Sequence, residues 1–230
     1  EEITGQSIYH MYIVIGGVRK DLPKGIEKKI LAYVDDLERR LPDYEDLLLN
    51  NPTIIARTKD QIMLPAEVVW ELGVTGIGMR SSTGKAYDIR KVAPYARYDK
   101  VEFDVPTANY SDAYTRIRFK WLEMHQIIRI IRQVLVMMPE GKVREKGLDG
   151  NALRWQVPKG QVYTAIESSR GEFGYYTVSD GGINPYRVAV RGASFPQGLL
   201  GVERYLPGHR IDDAALWFDT MGICSPEIDR

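Results

Sequence analysis

The stretch from Asp112 to Met138 constrains the fold more than any other part of the sequence. Its apolar residues alternate spacings of four and three, which places them on one face of a helix: Ile117, Trp121, Met124, Ile128, Ile131, Leu135 and Met138. Pro139 and Gly141 follow and end the pattern. The sequence therefore predicts a long amphipathic α-helix, whose other face carries the charged residues Arg116, Lys120, Glu123, Arg129 and Arg132.

Two shorter helices are predicted upstream of this one. Apolar residues at intervals of three and four predict a helix from Lys24 to Arg40, with Pro42 as its stop signal. A second short helix is expected between Asp60 and Leu72. The glycines between Gly73 and Pro94 predict a long loop, which is more often functional than filler.

After Gly160 the period of the apolar residues changes from helical to two. Three β-rich runs, separated by turn residues, predict a three-stranded antiparallel meander: Val162–Glu167, Phe173–Val178 and Tyr186–Val190. Two short helices, Gln197–Tyr205 and Ile211–Met221, are expected to follow. The predicted fold class is α+β, mainly helical with a small sheet, divided into a helical part (1–140), a loop or linker (141–160) and the meander with the C-terminal segment (161–230).

Composition excludes several classes of function. Lysine plus arginine and aspartate plus glutamate both number 31, so no basic excess argues for nucleic acid. The apolar runs fall well short of the roughly 20 residues that cross a bilayer. Cys224 is the single cysteine, and an iron–sulfur cluster needs about four thiolates, so this chain cannot hold one alone.

The three histidines do not form a metal motif. His10, His125 and His209 show no i, i+4 spacing and no pairing with cysteine, so a histidine-based zinc site is unsupported. We expect His125, near the apolar stripe of the long helix, to be a core or interface residue rather than a ligand. We expect His209 to be exposed and to precede a helix.

Two features have both a structural and a chemical interpretation on residue type alone. Arg170, in the turn Ser168-Ser-Arg-Gly171, is either a solvated turn residue or a guanidinium held at the rim of a site. The tail Cys224-x-x-Glu227-x-x-Arg230 either brings together a thiol, a carboxylate and a guanidinium, or is a coil with a buried cysteine. Spacing leaves both pairs of alternatives open.

A series of segments, in order along the whole chain, resembles the C-terminal part of the large subunit shared by respiratory complex I and nickel–iron hydrogenases. The segments are Ile15–Pro23, Gly73–Gly76, Arg80–Gly84, Tyr87–Lys91, Tyr98–Pro106, Glu167–Gly174, Ser179–Gly182, Pro185–Arg191 and Glu227–Arg230. The resemblance implies a hydrogenase large-subunit-like fold and a subunit of NADH:quinone oxidoreductase type.

In the hydrogenases the matching tail carries two cysteines that bind nickel and bridge to iron. Here Cys224 holds the first position, but Glu227 holds the second. Thiolates select nickel and low-spin iron, whereas a carboxylate is a hard ligand. The expectation is therefore that no metal is bound, with Cys224 a ligand only if a nickel–iron site persists.

The resemblance implies an electron-transfer site without a cofactor of its own. Electrons would come from a 4Fe-4S cluster in an adjacent small subunit, and the acceptor would be a quinone or a related compound. Arg170 matches an arginine that reaches over the hydrogenase metal site, which favours its lining the site here. The expected catalytic residues are Arg170, Cys224 and Glu227, and the expected substrate-binding residues are Arg170 and Arg230.

Cys224 departs from the complex I pattern, in which an apolar residue stands at that position. A half-retained cysteine pair is typical of intermediate members, such as membrane-bound complexes that reduce sulfane sulfur. Two alternatives remain: the large subunit of a membrane-bound nickel–iron hydrogenase, and a non-catalytic docking scaffold.

The expected partners are the iron–sulfur small subunit, a neighbouring hydrophilic subunit and membrane subunits, in a complex coupled to ion translocation. The expected location is peripheral, at the cytoplasmic face of the cell membrane, with no transmembrane segment in this chain.

Overall fold

A computed structural model of the chain describes residues 2–7, 11–145 and 155–229. His10 and Arg230, both named above, lie outside the described residues. The helices within them are Ile26–Leu48 (α1), Pro52–Thr58 (α2), Ala66–Leu72 (α3), Ile77–Thr83 (α4), Ile89–Val92 (α5), Ala113–Met137 (α6), Gly201–Tyr205 (α7), Ile211–Met221 (α8) and Ser225–Ile228 (α9). The strands are Ile13–Val14 (β1), Gly17–Val18 (β2), Gly160–Ser168 (β3), Gly171–Ser179 (β4) and Arg187–Arg191 (β5).

The long helix predicted from Asp112 to Met138 is confirmed as α6. Asp112 caps it, because its Oδ1 accepts a hydrogen bond from the Thr115 amide at 2.7 Å. The apolar stripe packs against α1 in a buried cluster of Val34, Leu41, Leu49, Trp121 and Ile128. This helix is therefore the element on which the rest of the chain is arranged.

The prediction that Pro42 ends the first helix is wrong, because α1 continues to Leu48. A proline inside a helix lacks one backbone hydrogen bond and usually breaks the helix. Here Leu41 and Leu49 lie on either side of it and are both buried in the cluster with α6. We infer that burial of this apolar surface offsets the lost hydrogen bond.

The prediction of a long loop from Gly73 to Pro94 is also wrong, because this segment contains α4 and α5. Three of its glycines flank short helices instead of marking a loop. Gly73 ends α3, Gly76 precedes α4 and Gly84 ends α4, each with a positive φ. Residues at helix ends often adopt this backbone conformation, and glycine adopts it without strain.

The three-stranded antiparallel meander is confirmed, with the strand order β3-β4-β5. Ser168 pairs with Gly171 at the first turn, and Val178 pairs with Arg187 near the second. A two-residue turn thus joins β3 to β4. The helices predicted after the meander are found as α8 and, for the earlier one, as a π-helical turn at Pro196–Leu200 that leads into α7.

A second core forms where α8 packs against α3, α4 and α6. Its buried residues are Ile62, Leu64, Val69, Val74, Trp217 and Met221. Arg116, predicted on the charged face of α6, is instead fully buried there. Its guanidinium donates to the carbonyls of Ile62 and Ser111 and to the Thr220 hydroxyl. Since α6 packs on more than one side, part of its charged face is buried.

Other predictions have mixed outcomes. His209 is exposed just before α8, as expected. His125 is exposed in this chain, so its core interpretation is wrong and an interface role stays a prediction. The hairpin β1–β2 and helix α2 were not predicted. The α+β fold class is confirmed, whereas the division at 140 and 160 stays a prediction. In the part of the chain that the structure describes, no helix is long and apolar enough to span a bilayer.

Candidate functional site

The β3–β4 turn holds Arg170 in a defined position. The Ser168 hydroxyl accepts from the Arg170 amide at 3.2 Å and donates to the Gly171 carbonyl at 2.9 Å. The guanidinium Nη1 of Arg170 donates to the Ser169 hydroxyl at 2.7 Å. About one third of the Arg170 side chain is exposed (33%), so it lies at a rim and not in open solvent.

The turn is docked on the loop that precedes α4. The Glu172 amide donates to the Thr75 hydroxyl at 3.1 Å. A Cβ built on Gly76 would lie 2.6 Å from the Arg170 carbonyl carbon and 2.9 Å from the Gly171 Cα. Only a residue without a side chain permits so close an approach.

Gly76→Ala is therefore expected to displace the turn that carries Arg170. The added methyl group clashes with backbone atoms, and alanine at φ +66 is strained, so we expect a loss of stability of about 1–3 kcal/mol. Urea denaturation of the whole protein measures this loss. Gly181→Ala is the control for strain alone, because φ there is +97 but no atom lies near an added Cβ. An equal loss in both variants would contradict the docking interpretation.

The C-terminal segment begins where α8 ends at Gly222. The φ of Gly222 is 71, and the next amide, that of Ile223, donates back to the Phe218 carbonyl at 3.0 Å. This turn directs the chain toward Cys224 and the short helix α9, which carries Glu227. The carboxylate thus lies on a helical turn anchored to the core helix α8.

Ser194 ties Glu227 and Cys224 together. The Ser194 amide donates to Glu227 Oε1 at 3.1 Å, and its hydroxyl donates to Oε2 at 2.8 Å. The same hydroxyl accepts from the Cys224 amide at 3.2 Å. The Glu227 side chain is 9% exposed, so its carboxylate is held nearly buried by a single serine.

Arg170 and Glu227 meet although they come from distant parts of the chain. Arg170 Nε lies 3.8 Å from Glu227 Oε2, close enough for an ion pair but too far for a hydrogen bond. This Nε is buried and has no hydrogen-bond partner within the described part of the chain. The structure therefore brings together Arg170, Glu227 and the half-buried Cys224, while Arg230 lies outside the described residues.

A further cation, Lys120, flanks this arrangement and was not predicted as a site residue. Its Nζ donates to the Asp219 carbonyl near the end of α8. A Cβ built on Gly222 would lie 3.9 Å from Lys120 Nζ and 4.0 Å from Arg170 Cγ. Burial lowers the pKa of Lys120. Its position on the charged face of α6 was the only sequence signal.

A buried cluster of charges lies beside the turn end of the β3–β4 hairpin. Arg80 is at its centre, and its guanidinium contacts three carboxylates: Asp88 at 3.3 Å, Glu167 at 3.2 Å and Glu123. Arg90 makes a second ion pair with Asp88 at 2.6 Å. A polar cavity of about 250 Å³ adjoins these five residues.

Burial is the dominant influence on the carboxyl groups around Arg80. It raises the pKa of Glu167 to about 7, and the nearby Asp88 charge adds to the rise. The hydrogen bond from the Ile89 amide, at 3.0 Å, and the two arginines act in the opposite direction but do not prevail. The pKa of Glu123 is likewise raised by burial.

The other strand of the hairpin is held by two tyrosines and an arginine. Tyr87 and Tyr163 donate to the two carboxylate oxygens of Glu172, at 2.8 Å and 2.6 Å. Burial, together with these hydrogen bonds, raises the pKa of both tyrosines to about 12. Arg191 Nη1 donates to the Glu172 carbonyl at 2.8 Å. Both strands that lead to Arg170 are thus anchored through a glutamate.

The residues of this site do not fit the four-thiolate nickel–iron centre of the hydrogenases. Among the residues that the structure describes, no group of three or more His, Cys, Asp and Glu side chains could hold a metal ion. The donors that it brings together are one thiol, Cys224, and one carboxylate, Glu227, whose two oxygens are already bonded to Ser194. A carboxylate is a harder ligand than the thiolates that select nickel and low-spin iron, and Cys224 supplies only one thiol.

Comparison with known proteins gives one consistent family. The chain matches the family described as respiratory-chain NADH dehydrogenase, 49 Kd subunit, over residues 1–149 and 150–230. It is 56% identical to the corresponding NADH-quinone oxidoreductase subunit of Thermosipho melanesiensis and 34% identical to that of Thermus thermophilus. Both matches cover 100% of this chain, but only 62% and 61% of those proteins.

A solved structure gives a similar result. One chain of the membrane-bound sulfane sulfur reductase, an archaeal respiratory membrane complex, superimposes on this chain with a TM-score of 0.91 at 35% identity. The match covers 100% of this chain and 62% of that one. The chain therefore spans somewhat less than two thirds of the length of these relatives.

Proposed function

The chain belongs to the 49-kDa subunit family of the respiratory-chain NADH dehydrogenase, and on that basis we propose that it forms the acceptor-reduction site of a membrane-associated respiratory oxidoreductase complex. The acceptor is a quinone or a related compound, such as sulfane sulfur. The site contains Arg170, Cys224 and Glu227, and we expect Arg230, which lies outside the described residues, to bind the acceptor.

The observation that carries this proposal is the pairing of Arg170 with Glu227 on two rigid supports. Arg170 lies on a hairpin tip docked against Gly76, and Glu227 is fixed by Ser194. Each oxygen of the Glu227 carboxylate accepts a hydrogen bond from Ser194, which fixes the carboxylate beside the Arg170 guanidinium. The partly exposed face of Arg170 remains for a small acceptor.

The chemistry needs two electrons and two protons for each acceptor. The electrons would come one at a time from a 4Fe-4S cluster held by an adjacent iron–sulfur small subunit. A quinone becomes a quinol, and in a sulfane sulfur acceptor one S–S bond breaks and leaves two thiol ends. Negative charge develops on the acceptor before protonation, and Arg170 stabilises it from a partly desolvated position.

The proposed partners follow from the relatives that this chain matches. These relatives are subunits of NADH-quinone oxidoreductases and of an archaeal respiratory membrane complex. We place the chain between the iron–sulfur small subunit, a neighbouring hydrophilic subunit and the membrane subunits, peripherally at the cytoplasmic face, in a complex coupled to ion translocation.

The test uses the assembled complex with Arg170→Gln. We expect the rate of acceptor reduction to fall about 100-fold, because a preorganised donor to the developing charge is lost. Stopped-flow measurements with a soluble quinone and, separately, with polysulfide distinguish the two acceptor classes. Arg187→Gln is the matched control, since Arg187 is an exposed arginine on β5 of the same sheet.

Two results would contradict the proposal. Full activity of the Arg170→Gln complex would overturn the role of Arg170 that carries the proposal and would favour the docking alternative. Stoichiometric nickel in the purified complex, together with hydrogen evolution that Cys224→Ser abolishes, would favour the hydrogenase alternative.

A further inference from the structure

The cluster around Arg80 has an uneven charge balance. It contains two guanidinium groups, Arg80 and Arg90, and three carboxyl groups, Asp88, Glu123 and Glu167. With every group ionised the cluster has a net charge of −1. Its central members are buried, with side-chain exposures of 5% for Arg80, 1% for Asp88 and 5% for Glu167. A buried charge without a counter-charge is costly. One proton bound by a carboxyl group makes the cluster neutral and removes this cost.

Asp88 is not the group that takes this proton. Its Oδ1 accepts from the amide and the Nε of Arg90, both at 2.9 Å. Its Oδ2 accepts from Arg90 Nη2 at 2.6 Å and from Arg80 Nη1 at 3.3 Å. Four donors therefore occupy its oxygens. Glu167, by contrast, has two hydrogen bonds, from Arg80 and from the Ile89 amide, and Glu123 has one, from Arg80. Of these two carboxyl groups Glu167 is the more buried, with 5% of its side chain exposed against 20% for Glu123, so burial favours the proton on Glu167.

Glu167 lies close to the proposed acceptor site along the chain. It is the last residue but one of β3, three positions before Arg170. The cavity beside it is also lined by Ser168 and Ser169. The Ser169 hydroxyl is the group to which Arg170 donates. The cavity is thus lined both by the buried carboxyl and by the serine that accepts from the guanidinium at the rim.

We propose that Glu167 is the proton-donating residue of the acceptor site. Its carboxyl holds a proton within the Arg80 cluster and releases it through the cavity and the Ser169 hydroxyl to the acceptor beside Arg170. This inference rests on the proposed function, because it needs an acceptor that is reduced at that place.

The transfer balances without any further reactant. The acceptor takes its electrons from the iron–sulfur cluster of the partner subunit, and Glu167 gives one proton for one of the two new O–H or S–H bonds. Water in the cavity carries this proton from Glu167 to Ser169, whose hydroxyl oxygen accepts it as the hydroxyl releases its own proton to the acceptor. Glu167 becomes a carboxylate and is reprotonated from solvent, because the cavity is lined on one side by the exposed Asp104 and is large enough for water.

Every element packed around Glu167 presents a charged or titratable group to it or to the cavity. These groups are Arg80, Asp88, Arg90, Tyr95, Asp104 and Glu123. Burial and Asp88 favour the protonated form, whereas the two arginines favour the carboxylate. The balance raises the pKa of Glu167 to about 7, so both forms are populated near neutral pH, as a proton donor requires.

The test compares Glu167→Gln with the wild type in the assembled complex, between about pH 6 and pH 9. Glutamine still accepts from the Ile89 amide but cannot release a proton. In the wild type we expect the rate of acceptor reduction to fall as the pH rises through about 7. In Glu167→Gln we expect a rate about tenfold lower at pH 6, with this fall absent, so that the two profiles converge at pH 9.

Two further variants separate proton donation from a structural role. Glu172→Gln changes the residue that pairs with Glu167 across the hairpin, and we expect it to keep the wild-type fall near pH 7. Glu167→Asp keeps a carboxyl group, and we expect it to restore a pH-dependent step. Copurification with the iron–sulfur subunit measures assembly. If Glu167→Gln does not assemble, the Glu167→Asp complex tests the proposal instead. A rate of acceptor reduction that does not change with pH in Glu167→Asp would then overturn the proposal.

The outcomes also distinguish this inference from the proposed function. If Arg170→Gln loses activity but Glu167→Gln retains the wild-type pH profile, only the role of Glu167 is wrong. If the wild-type complex reduces neither a quinone nor polysulfide, the proposed function fails and the inference fails with it. Reduction of the iron–sulfur cluster by the upstream donor should be equally fast in the wild type and in Glu167→Gln. A slower reduction in the variant would assign its defect to electron input and would also overturn the inference.

Discussion

Trp217→Ala is expected to destabilise the protein by about 3–5 kcal/mol, because it leaves a large cavity in the core beneath α8. Trp217 is only 1% exposed and packs with Val69, Val74 and Met221. Its Nε1 donates to the Gln197 carbonyl at 2.8 Å. A Cβ built on Gly201 would lie 2.8 Å from Trp217 Cζ2, so the indole also fixes the approach of α7.

The measurement is the urea midpoint of the whole protein, followed by far-ultraviolet circular dichroism. Trp217→Phe is the control, because it keeps an aromatic ring and loses mainly the hydrogen bond to Gln197, which we expect to cost about 1–2 kcal/mol. Phe218→Ala, on the more exposed face of the same helix, should cost less than Trp217→Ala. Equal losses in Trp217→Ala and Phe218→Ala would contradict the placement of the core.

The effect should extend to the candidate site. Gly222, Cys224 and Glu227 follow directly from the end of α8, whose position depends on Trp217. A loosened α8 would change the distance of 3.8 Å between Arg170 and Glu227. We therefore expect acceptor reduction by the assembled complex to fall at temperatures at which the variant is still folded.

Periodicity was a reliable guide wherever one face of an element is buried and the other is not. The apolar stripe predicted the bounds of α6, and the alternation of apolar residues predicted those of β3–β5, to within two or three residues at each end. The same signals failed where tertiary contacts decide the local structure. Pro42 is tolerated inside α1 because of packing against α6, and the glycines around α4 are helix caps, which composition does not distinguish from loop residues.

The candidate site was accessible to sequence reasoning only in part. Resemblance to a family singled out Arg170, Cys224 and Glu227, and no spacing rule would have paired an arginine with a glutamate 57 positions later. The partners of Arg80 lie 8, 43 and 87 positions away, which leaves no local pattern. Lys120 and Arg116 were predicted on the charged face of α6, and amphipathicity alone did not show that this face is partly buried. It is buried because α6 contacts α1, α2, α4 and α8.

Arg80→Met is expected to show the second large effect, a loss of about 3–5 kcal/mol near pH 8, because it leaves buried carboxylates without their main cation. Arg80 lowers the pKa of Glu123 and of Glu167, both already raised by burial. Its removal therefore raises both further. A carboxyl whose pKa is higher in the folded state than in the unfolded state binds more protons when folded, so its stabilising contribution is present at low pH and is lost as the pH rises.

The loss should consequently depend on pH in a predictable direction. The loss should be smallest near pH 5, which is close to the pKa of 4.5 of an unfolded glutamate and at which the folded carboxyl groups are protonated. It should grow as the pH rises through and beyond about 7. Urea denaturation of the whole protein at pH 5 and pH 8, referred to the wild type at each pH, measures it. Arg90→Met is the matched control and should lose less, since Arg90 is more exposed and its ion pair is with Asp88 alone. An Arg80→Met loss that is equal at both pH values would mean that packing, and not uncompensated charge, explains the effect, and the charge balance assigned to this cluster would then be wrong.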